Sequence, residues 1–533
     1  MIFRKTGTHF PDHALMQRRA ADGLYPRSGA FAGTLMDRLS NATLDRLPLS
    51  VQKPAYDRVA IATGIVHLGL GAFHRAHQAA YTDTLLADDP RWGILGVSLR
   101  AAETRDALEP QDGLYSVSAI DGSSVRRRVI GALTGMVVGP EDPAGLGARL
   151  ADPNVRIVST TVTEKGYSHD PATGALRAQD PDIRHDLLHG DRPRTTLGTI
   201  VGGLNRRRAA RIPPFTVLAC DNLPANGHTL RRLVIRFAEL ADPELAKWIA
   251  DEVRFPSTMV DRIVPATTDD DRAKAAAALG LEDAWPIMTE PFTQWVIEDD
   301  FSLGRPAWDQ AGAEFVGDVA PYELMKLRLL NGAHSTLAYL GYLMERETVA
   351  AAMQEPGIAR LIEEMMRIEV TPTLPALACI DVAAYRASLL DRFRNPALQH
   401  RTWQIAMDGS HKLPQRLLGT IRDRLAAGHS IDRLALGVAA WMRYITGVDE
   451  KGKAIDVSDP LASRLRTLAD EAGPIAARLA PALFSVREIF GADLPDDPRF
   501  ASVVEALLDQ LFTLGVSATV DRLSEAAPSV TRR

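Results

Sequence analysis

Gly64-Ile-Val-His-Leu-Gly69-Leu-Gly71-Ala-Phe-His74 is the stretch that decides the fold of this chain of 533 residues. Its apolar beginning predicts a short buried strand, and the glycines after it predict a tight turn that opens a helix over residues 73–86. Gly69 permits the turn, and Gly71 lets backbone N–H groups approach a pyrophosphate at the helix N-terminus. His74 replaces the third glycine of the usual dinucleotide fingerprint, so an ordinary strand-to-helix turn stays open as the alternative.

Apolar runs of similar length recur at residues 92–100, 155–162 and 215–220, separated by helical or loop stretches. Such runs predict a parallel sheet that helices cover on both faces. After about residue 320 the spacing becomes helical, at residues 358–370, 382–394, 414–427, 431–446 and 500–514. We therefore expect an extension at 1–56, a Rossmann-type doubly wound α/β domain at 57–315 that binds a dinucleotide, and a mostly α-helical substrate and catalytic domain at 316–533. The first thirty-five or so residues are predicted to be loosely ordered, and Met36 is an alternative start.

Composition excludes several classes of function. The net charge is −6, and Lys and Arg are spread along the chain, which argues against nucleic acid as a partner. No apolar run is long enough to span a membrane. Cys220 and Cys379 form neither a disulfide framework nor a metal-ligand spacing, so a reduced cytoplasm is the expected location. We expect a small-molecule substrate, and a monomer or a small homo-oligomer.

The mostly apolar segment 322–339 carries Glu323, Lys326, Asn331 and His334. At about 100° per residue they fall within roughly 140° of an α-helix circumference. Burying them together is costly unless they satisfy one another or a ligand. The cluster suits proton transfer at a carbonyl or carbinol without a metal. The alternative is a surface pair between Glu323 and Lys326, with satisfied polar neighbours.

Other candidates follow the predicted strands, where a doubly wound sheet binds its ligands. Thr163 and Lys165 follow one strand, and Asn222, which can donate to a developing alkoxide, follows another. The second strand ends at Arg100 where an acid would hold a ribose hydroxyl, so NADP is possible beside NAD. A predicted loop at residues 255–265 carries the carboxylate of Asp261 inside apolar sequence, and a helix cap or a contact with Arg262 is the alternative role for it. The polar segment that contains Gln404, Lys412 and Arg416 could bind hydroxyls or a carboxylate, or it could simply be a helix entry.

Taken together, these segments resemble the mannitol dehydrogenase family of polyol-specific long-chain dehydrogenases. The resemblance covers roughly residues 55–520 and rests on five motifs: Gly69-x-Gly-x-Phe-His-Arg-Ala-His-Gln78, Thr163-Glu-Lys-Gly-Tyr167, Cys220-Asp-Asn222, Pro256-Ser-Thr-Met-Val-Asp-Arg-Ile263 and Lys326-x4-Asn331-x2-His334. It implies a Rossmann-type domain, a helical domain and a site in the cleft between them. It also implies dinucleotide binding by Gly69, Gly71, Ala72 and Phe73.

The family pattern implies a role for each polar residue of the site. Lys326 matches the catalytic acid/base, Asn222 and Asn331 match an oxyanion pair, His334 matches a substrate-orienting residue, Asp261 and Lys412 match substrate contacts, and Glu323 matches a gate for protons. No metal is implied.

Within the family, residues 290–298 and 404–410 look closest to the fructuronate reductases, which interconvert D-fructuronate and D-mannonate. Mannitol-oxidising members have Asn where this chain has Ala72, and Arg where it has Gln404. The expected reaction is reversible hydride transfer between NAD(P)H and C5 of a hexuronate. The alternatives are a mannitol-, arabinitol- or altronate-type dehydrogenase, and a dinucleotide-binding protein without turnover.

Overall fold

The strands form three sheets in the part of the chain that the computed structural model describes, residues 36–162, 164–170, 173–376 and 380–525. The predicted extension at 1–35 lies outside those residues. In chain order the strands are β1 (Val51–Gln52), β2 (Thr63–Leu68), β3 (Gly93–Ser98), β4 (Tyr115–Asp121), β5 (Ser124–Ile130), β6 (Leu133–Val138), β7 (Ile157–Thr160), β8 (Thr216–Ala219), β9 (Thr258–Asp261), β10 (Ile287–Thr289), β11 (Gln294–Glu298) and β12 (Glu314–Val316).

The largest sheet has five parallel strands in the order β6-β3-β2-β7-β8. The first of these strands in sequence, β2, lies in the middle, and later strands add on both sides of it. This is the order 3-2-1-4-5 of a doubly wound nucleotide-binding sheet. The predicted Rossmann-type fold is confirmed, and the apolar runs at 64–69, 92–100, 155–162 and 215–220 supply four of the five strands.

Both faces of this sheet are buried, which explains why its strands are apolar throughout. Successive side chains of a strand point to opposite faces. Val66 and Val158 pack with the helices on one face, and Ile65 and Ile157 pack into a separate cluster on the other. An alternating polar pattern would have exposed one face to water.

Two smaller sheets correct the sequence-based interpretation of two segments. One sheet has the order β1-β5-β4-β10, and the other has the order β12-β11-β9. The sequence of residues 289–300 predicts a strand at the edge of a sheet or a link between domains, but this segment contains β11, which is the middle strand of its sheet. Residues 255–265 were expected to be a loop, but Asp261 is the last residue of strand β9.

The helix predicted over residues 73–86 is two helices, Ala72–Ala76 and Gln78–Leu85, divided at His77. His77 has φ −112° and ψ −95°, outside the helical region. Its ring contacts Phe73 and Trp295, and its Nε2 donates to the carbonyl oxygen of Gln294 at 3.0 Å. These contacts with a distant strand hold the break. The other helices of the first half are Glu103–Leu108, Pro143–Leu150, Pro181–Leu188, Thr196–Ala210, Asn226–Ala241, Pro243–Glu252 and Asp269–Leu279.

After β12 the described residues contain helices and no further strand. The α-helices are Ala320–Met325, Gly332–Leu343, Val349–Met353, Pro356–Glu364, Val382–Arg394, Thr402–Ala406, Gly409–Leu413, Gly419–Ala426, Asp432–Ile445, Ala462–Ala472, Ala476–Phe484, Arg487–Phe490, Pro498–Thr513 and Gly515–Glu525. Three π-helical segments join some of them: Lys326–Asn331, Met365–Val370 and Pro414–Leu418. The mostly helical second half is confirmed.

Contacts between Cα atoms divide the chain into Met1–Asp37 and Arg38–Arg533, and the second unit contains the sheets and the helical half. The predicted boundaries at 56/57 and 315/316 stay predictions. No helix within the described ranges is both long and apolar enough to cross a membrane.

Candidate active site

The glycine loop leaves the carboxyl end of β2 beside β7, at the point where the direction of strand addition reverses. Gly69 has φ +101°, and a Cβ there would lie 2.4 Å from the carbonyl oxygen of Thr161, so only glycine fits. A Cβ on Gly71 would meet nothing closer than the oxygen of Gly69 at 3.8 Å, so this position opens onto free space. A glycine held open at a strand-to-helix turn is the feature that lets a pyrophosphate approach the backbone.

For the other predicted cofactor contacts, the structure describes the side chains of some residues and not of others. Ala72 begins the helix after the loop, and Phe73 lines the cavity described below. Arg100 is exposed, two residues beyond the end of β3. Lys165 lies in the 3-10 turn Glu164–Tyr167, and its side chain is outside the described part of the structure. Thr163 also lies outside the described residues.

Lys326 is the first residue of a π-helical segment and is buried, with 8% of its surface exposed. Its Nζ donates to Oδ1 of Asn222 and to the carbonyl oxygen of Val260, each at 2.6 Å. Burial lowers the pKa of Lys326 below its usual value, and it outweighs the opposing charge of Asp261. A lysine that deprotonates more easily than usual is suited to act as a base.

Lys326 stands in the wall between two cavities. The first, which we call the loop cavity, has a volume of about 370 Å³ and is lined by Phe73, Asp261, His334 and Gln404, among others. The second, the Glu323 cavity, has a volume of about 230 Å³. Residues that line both cavities are Asn222, Val260, Lys326 and Asn331. Lys326 therefore borders both cavities.

The two asparagines flank the lysine from different elements. Asn222 follows β8, and Asn331 ends the π-helical segment. The Oδ1 atom of Asn222 is taken by Lys326, so the amide N–H groups of this side chain are available to donate. Neutral amide donors can stabilise negative charge on an oxygen without titrating.

His334 lies one turn beyond Asn331, is buried, and lines the loop cavity. Its ring packs near Phe393 and His400, with centroid distances of 4.6 and 5.0 Å. Nε2 has no hydrogen-bond partner among the described residues. Burial, followed by the neighbouring His400 and Arg392, holds the pKa of His334 well below its usual value. The neutral ring thus offers one unpaired nitrogen to a ligand in the cavity.

Glu323 lines the second cavity, one helical turn before Lys326. Its carboxylate accepts the backbone N–H of Ala225 at 3.0 and 3.1 Å. Burial raises the pKa of Glu323 above its usual value in spite of that bond and of the charge of Lys326. A carboxyl group that binds protons more readily than usual lies on the side of Lys326 away from the loop cavity.

Two families of domain match the chain, over residues that cover most of it. Residues 63–310 match the mannitol dehydrogenase Rossmann domain, and residues 318–512 match the mannitol dehydrogenase C-terminal domain. The chain belongs to the mannitol dehydrogenase family. It is therefore an NAD-dependent oxidoreductase that acts on CH–OH groups, and the predicted resemblance is confirmed.

Individual relatives are similar over nearly the whole chain. The D-mannonate oxidoreductase of Escherichia coli strain K12 is 46% identical over 480 residues, which cover 89% of this chain and 98% of the relative. An uncharacterised oxidoreductase of the same strain, YeiQ, is also 46% identical, over 90% of this chain and 98% of its own length. The solved structure of Pseudomonas fluorescens mannitol 2-dehydrogenase, a ternary complex with NAD and D-mannitol, is 40% identical with a TM-score of 0.82; the match covers 92% of this chain and all of that one.

Asp261, predicted to contact substrate, lines the loop cavity but binds a cation that sequence reasoning missed. Both of its carboxylate oxygens accept from Arg392, at 2.8 and 3.0 Å. Arg392 also donates twice to Glu290, at 2.8 Å each. Burial alone would raise the pKa of Asp261, but the Arg392 charge outweighs it and the pKa lies below the usual value. The site of this chain therefore includes a buried Arg392 that holds two carboxylates.

The three remaining substrate candidates differ in whether they line the loop cavity. Gln404 lines the loop cavity. Lys412 is not among the lining residues, and its Nζ donates to the carbonyl oxygens of Ile405 and Met407, at 3.2 and 2.5 Å. Arg416 is not among them either; it donates to Oγ of Ser335 at 3.1 Å, and its charge contributes to lowering the pKa of Lys326.

His67 is another residue that sequence reasoning missed, and it contacts the glycine loop. His67, inside β2, is fully buried, and its Nε2 lies 3.1 Å from the carbonyl oxygen of Gly69 and 2.8 Å from Oγ1 of Thr161. The ring of His74 stacks on it with centroids 3.3 Å apart. A histidine within an otherwise apolar strand was the signal that could have identified it.

Among the described residues, no group of three or more His, Cys, Asp or Glu side chains is placed to hold a metal ion.

Proposed function

We propose that this member of the family catalyses the reversible, NAD-dependent oxidation of D-mannonate to D-fructuronate, with Lys326 as acid and base. The observation that carries the chemistry is the position of the Lys326 Nζ: buried, 2.6 Å from Asn222, and in the wall between two cavities. The family roles of the site residues are proposals for this chain.

In the oxidation, neutral Lys326 takes the proton from the substrate hydroxyl. NAD, when bound, supplies the nicotinamide that accepts the hydride from the same carbon. Asn222 and Asn331 donate N–H groups to the oxygen as it gains negative charge, and the unpaired Nε2 of His334 binds a neighbouring hydroxyl and orients the carbon. In the reduction, protonated Lys326 returns the proton to the oxygen.

Glu323 takes the proton onward. Because it lines the cavity on the other side of Lys326, the proton does not have to leave past the bound substrate. Its raised pKa, caused by burial, lets it hold a proton at a pH where an exposed glutamate would not. A relay through Glu323 returns Lys326 to its neutral form after each oxidation.

The sugar-acid substrate is supported by two residue positions and by one relative. Ala72 and Gln404 differ from the residues of mannitol-oxidising members, and the D-mannonate oxidoreductase of E. coli is 46% identical. A carboxylate substrate also needs a cation. Arg416 does not line the loop cavity, but its positive charge acts on Lys326 and His334, which do. We propose that its guanidinium contacts the substrate carboxylate when the substrate binds.

D-Mannitol is the second candidate substrate, because a solved relative that is 40% identical binds it together with NAD. The deciding experiment measures steady-state rates with D-mannonate and with D-mannitol, each with NAD and NADP. We expect the highest kcat/KM with D-mannonate and NAD. Faster oxidation of D-mannitol would overturn the sugar-acid assignment, and NADH binding without turnover of any sugar acid or polyol would overturn catalysis.

The variant Arg416→Ala tests the carboxylate contact separately. It should raise the KM for D-mannonate and leave the KM for D-mannitol nearly unchanged, because only the acid carries the negative group. An equal effect on both substrates would remove Arg416 from this role. We further propose that the protein works in the cytoplasm, as a monomer or small homo-oligomer; gel filtration with light scattering measures the latter.

A further inference from the structure

A third cavity, which we call the arginine cavity, shares the lining residue Arg262 with the loop cavity. Its volume is about 250 Å³, and its lining includes Arg126, Arg127 and Arg128 of β5 together with Arg262. The other polar residues of the lining are Gln52 and three that bear hydroxyl groups, Tyr81, Thr84 and Thr293. No acidic residue is among the lining residues. Neither the reaction nor the family roles above use this cavity.

The positive charge of the arginine cavity is only partly neutralised. Arg128 pairs with Asp83, a buried carboxylate. Arg262 donates to the backbone carbonyl oxygens of Ala76 and Glu290 and forms no ion pair with the described residues. The side chains of Arg126 and Arg127 have neither a hydrogen bond nor an ion pair within the described part of the chain. Four guanidinium groups therefore share one carboxylate partner.

Several donors at this site are also buried without an acceptor. The Nε–H groups of Arg127, Arg128 and Arg262 are each shielded from solvent and have no partner among the described residues. A buried donor left unsatisfied is costly, more so when it belongs to a charged group. Burial lowers the pKa of Arg262 to about 10, and the charges of Arg128 and Arg126 contribute to lowering it. An anion in the cavity would relieve both the repulsion and the missing hydrogen bonds.

We propose that the arginine cavity binds a phosphate group, either as free phosphate or as the phosphate monoester of a small metabolite. The planar guanidinium fork matches two phosphate oxygens at once, and several forks around one group can match all of them. The hydroxyl groups of Tyr81, Thr84 and Thr293 add donors. A volume of about 250 Å³ admits a phosphate and a small organic body, but not a dinucleotide.

Occupancy of this site has a direct route to the catalytic centre. Arg262 lines both the arginine cavity and the loop cavity, and it directly follows Asp261 in the chain. A phosphate bound to Arg262 would draw its guanidinium away from the carbonyl oxygens of Ala76 and Glu290. Glu290 is also one of the two carboxylates that hold Arg392. A movement of Arg262 would therefore alter the ion pairs beside the loop cavity.

The test titrates inorganic phosphate and, separately, glucose 6-phosphate into the full-length protein saturated with NADH, by calorimetry at constant ionic strength. Saturating NADH keeps phosphate from the glycine loop. The variant Arg126→Ala is informative because Arg126 is exposed and takes no part in catalysis. Its control is Arg360→Ala, which removes an exposed arginine from the helix Pro356–Glu364.

We expect saturable binding that Arg126→Ala weakens at least about tenfold, the scale of one charged hydrogen bond, and that Arg360→Ala leaves unchanged. Turnover of Arg126→Ala without phosphate should equal that of the unaltered protein. Tighter binding of glucose 6-phosphate identifies a monoester as the ligand, and tighter binding of inorganic phosphate identifies the free ion. Absence of saturable binding, equal affinity in Arg126→Ala, or equal binding of succinate would overturn the proposal.

Discussion

Replacing Arg392 with methionine tests the buried cluster of Arg392, Asp261 and Glu290 beside the loop cavity. Met fills a similar volume without a charge. The four hydrogen bonds from Arg392 disappear, and the carboxylates of Asp261 and Glu290 remain buried, 4% and 1% exposed, without a cation. The variant therefore keeps the desolvation cost of two carboxylates and loses the cation that offsets most of it.

The size of the effect follows from the burial. Removing one partner of a buried ion pair costs about 3–5 kcal/mol. For a chain of 533 residues, an unfolding entropy of about 2 cal/mol/K per residue amounts to roughly 1 kcal/mol/K. Arg392→Met should therefore lower the melting temperature by about 3–5 °C at neutral pH.

The decrease in the melting temperature of Arg392→Met should become smaller as the pH falls. In the unaltered protein, Arg392 holds the pKa of Asp261 below its usual value of 3.8, so this contribution to stability is present above that pH and is lost as the pH falls below it. In the variant, burial is opposed only by the weaker effects of Lys326 and His77 and raises the pKa of Asp261 above its unfolded value, so the folded variant gains stability as the pH falls. The difference in melting temperature should therefore shrink as the pH is lowered from neutral toward the unfolded value of 3.8.

Scanning calorimetry at one scan rate measures both effects. The control is Arg394→Met on the same helix, since Arg394 is exposed and only 3.7 Å from an exposed Asp391. A surface pair of this kind contributes about 0–1 kcal/mol, so the control should melt within about 1 °C of the unaltered protein. If Arg392→Met melts like Arg394→Met at every pH, the argument from buried carboxylates is refuted.

Three further predictions concern catalysis and the cofactor. Asn331→Ala should lower kcat by roughly two to three orders of magnitude, the scale for one oxyanion donor; retained kcat would show that Asn331 only packs. Gly71→Ala should leave the melting temperature unchanged, because its Cβ meets nothing within 3.8 Å, yet raise the KM for NAD at least about tenfold by displacing the pyrophosphate. An unaltered KM would place the dinucleotide elsewhere. Arg100→Ala should lower kcat/KM with NADP and not with NAD; equal effects on both would show that Arg100 does not select the cofactor.

The features that sequence predicted well are local ones. The loop at Gly69 and Gly71 needs one glycine for a left-handed turn and one for access, and both requirements are visible within a few residues. The apolar runs of the central sheet are also local, because a strand buried on both faces must be apolar at every position. The spacing of Lys326, Asn331 and His334 identified a cluster whose members do line the same cavity.

The features that sequence missed depend on distant contacts or on irregular backbone. Arg392 lies 131 residues from Asp261 in the chain. The sequence around either residue contains no pattern that predicts an ion pair between them. The arc calculated for Lys326, Asn331 and His334 assumed α-helical geometry, whereas Lys326–Asn331 is π-helical, which changes how these side chains are disposed. No breaking residue marks that segment. The family pattern matches Lys412 to a substrate contact, but Lys412 is not a lining residue of the loop cavity, and its Nζ donates to the backbone carbonyl oxygens of Ile405 and Met407.

The central claim is that a buried Lys326 exchanges the proton of the reaction. The most direct test is the pH dependence of kcat for oxidation, with whichever of D-mannonate and D-mannitol reacts faster. Because the base must be neutral, kcat should rise with pH, with a midpoint below the usual lysine pKa of 10.5, and reduction should fall through the same range. Lys326→Ala should lose the midpoint and at least about 100-fold in kcat, while Lys247→Ala, an exposed control, should change neither. A Lys326→Ala enzyme that keeps its kcat within a few-fold, or keeps the same midpoint, would contradict the account.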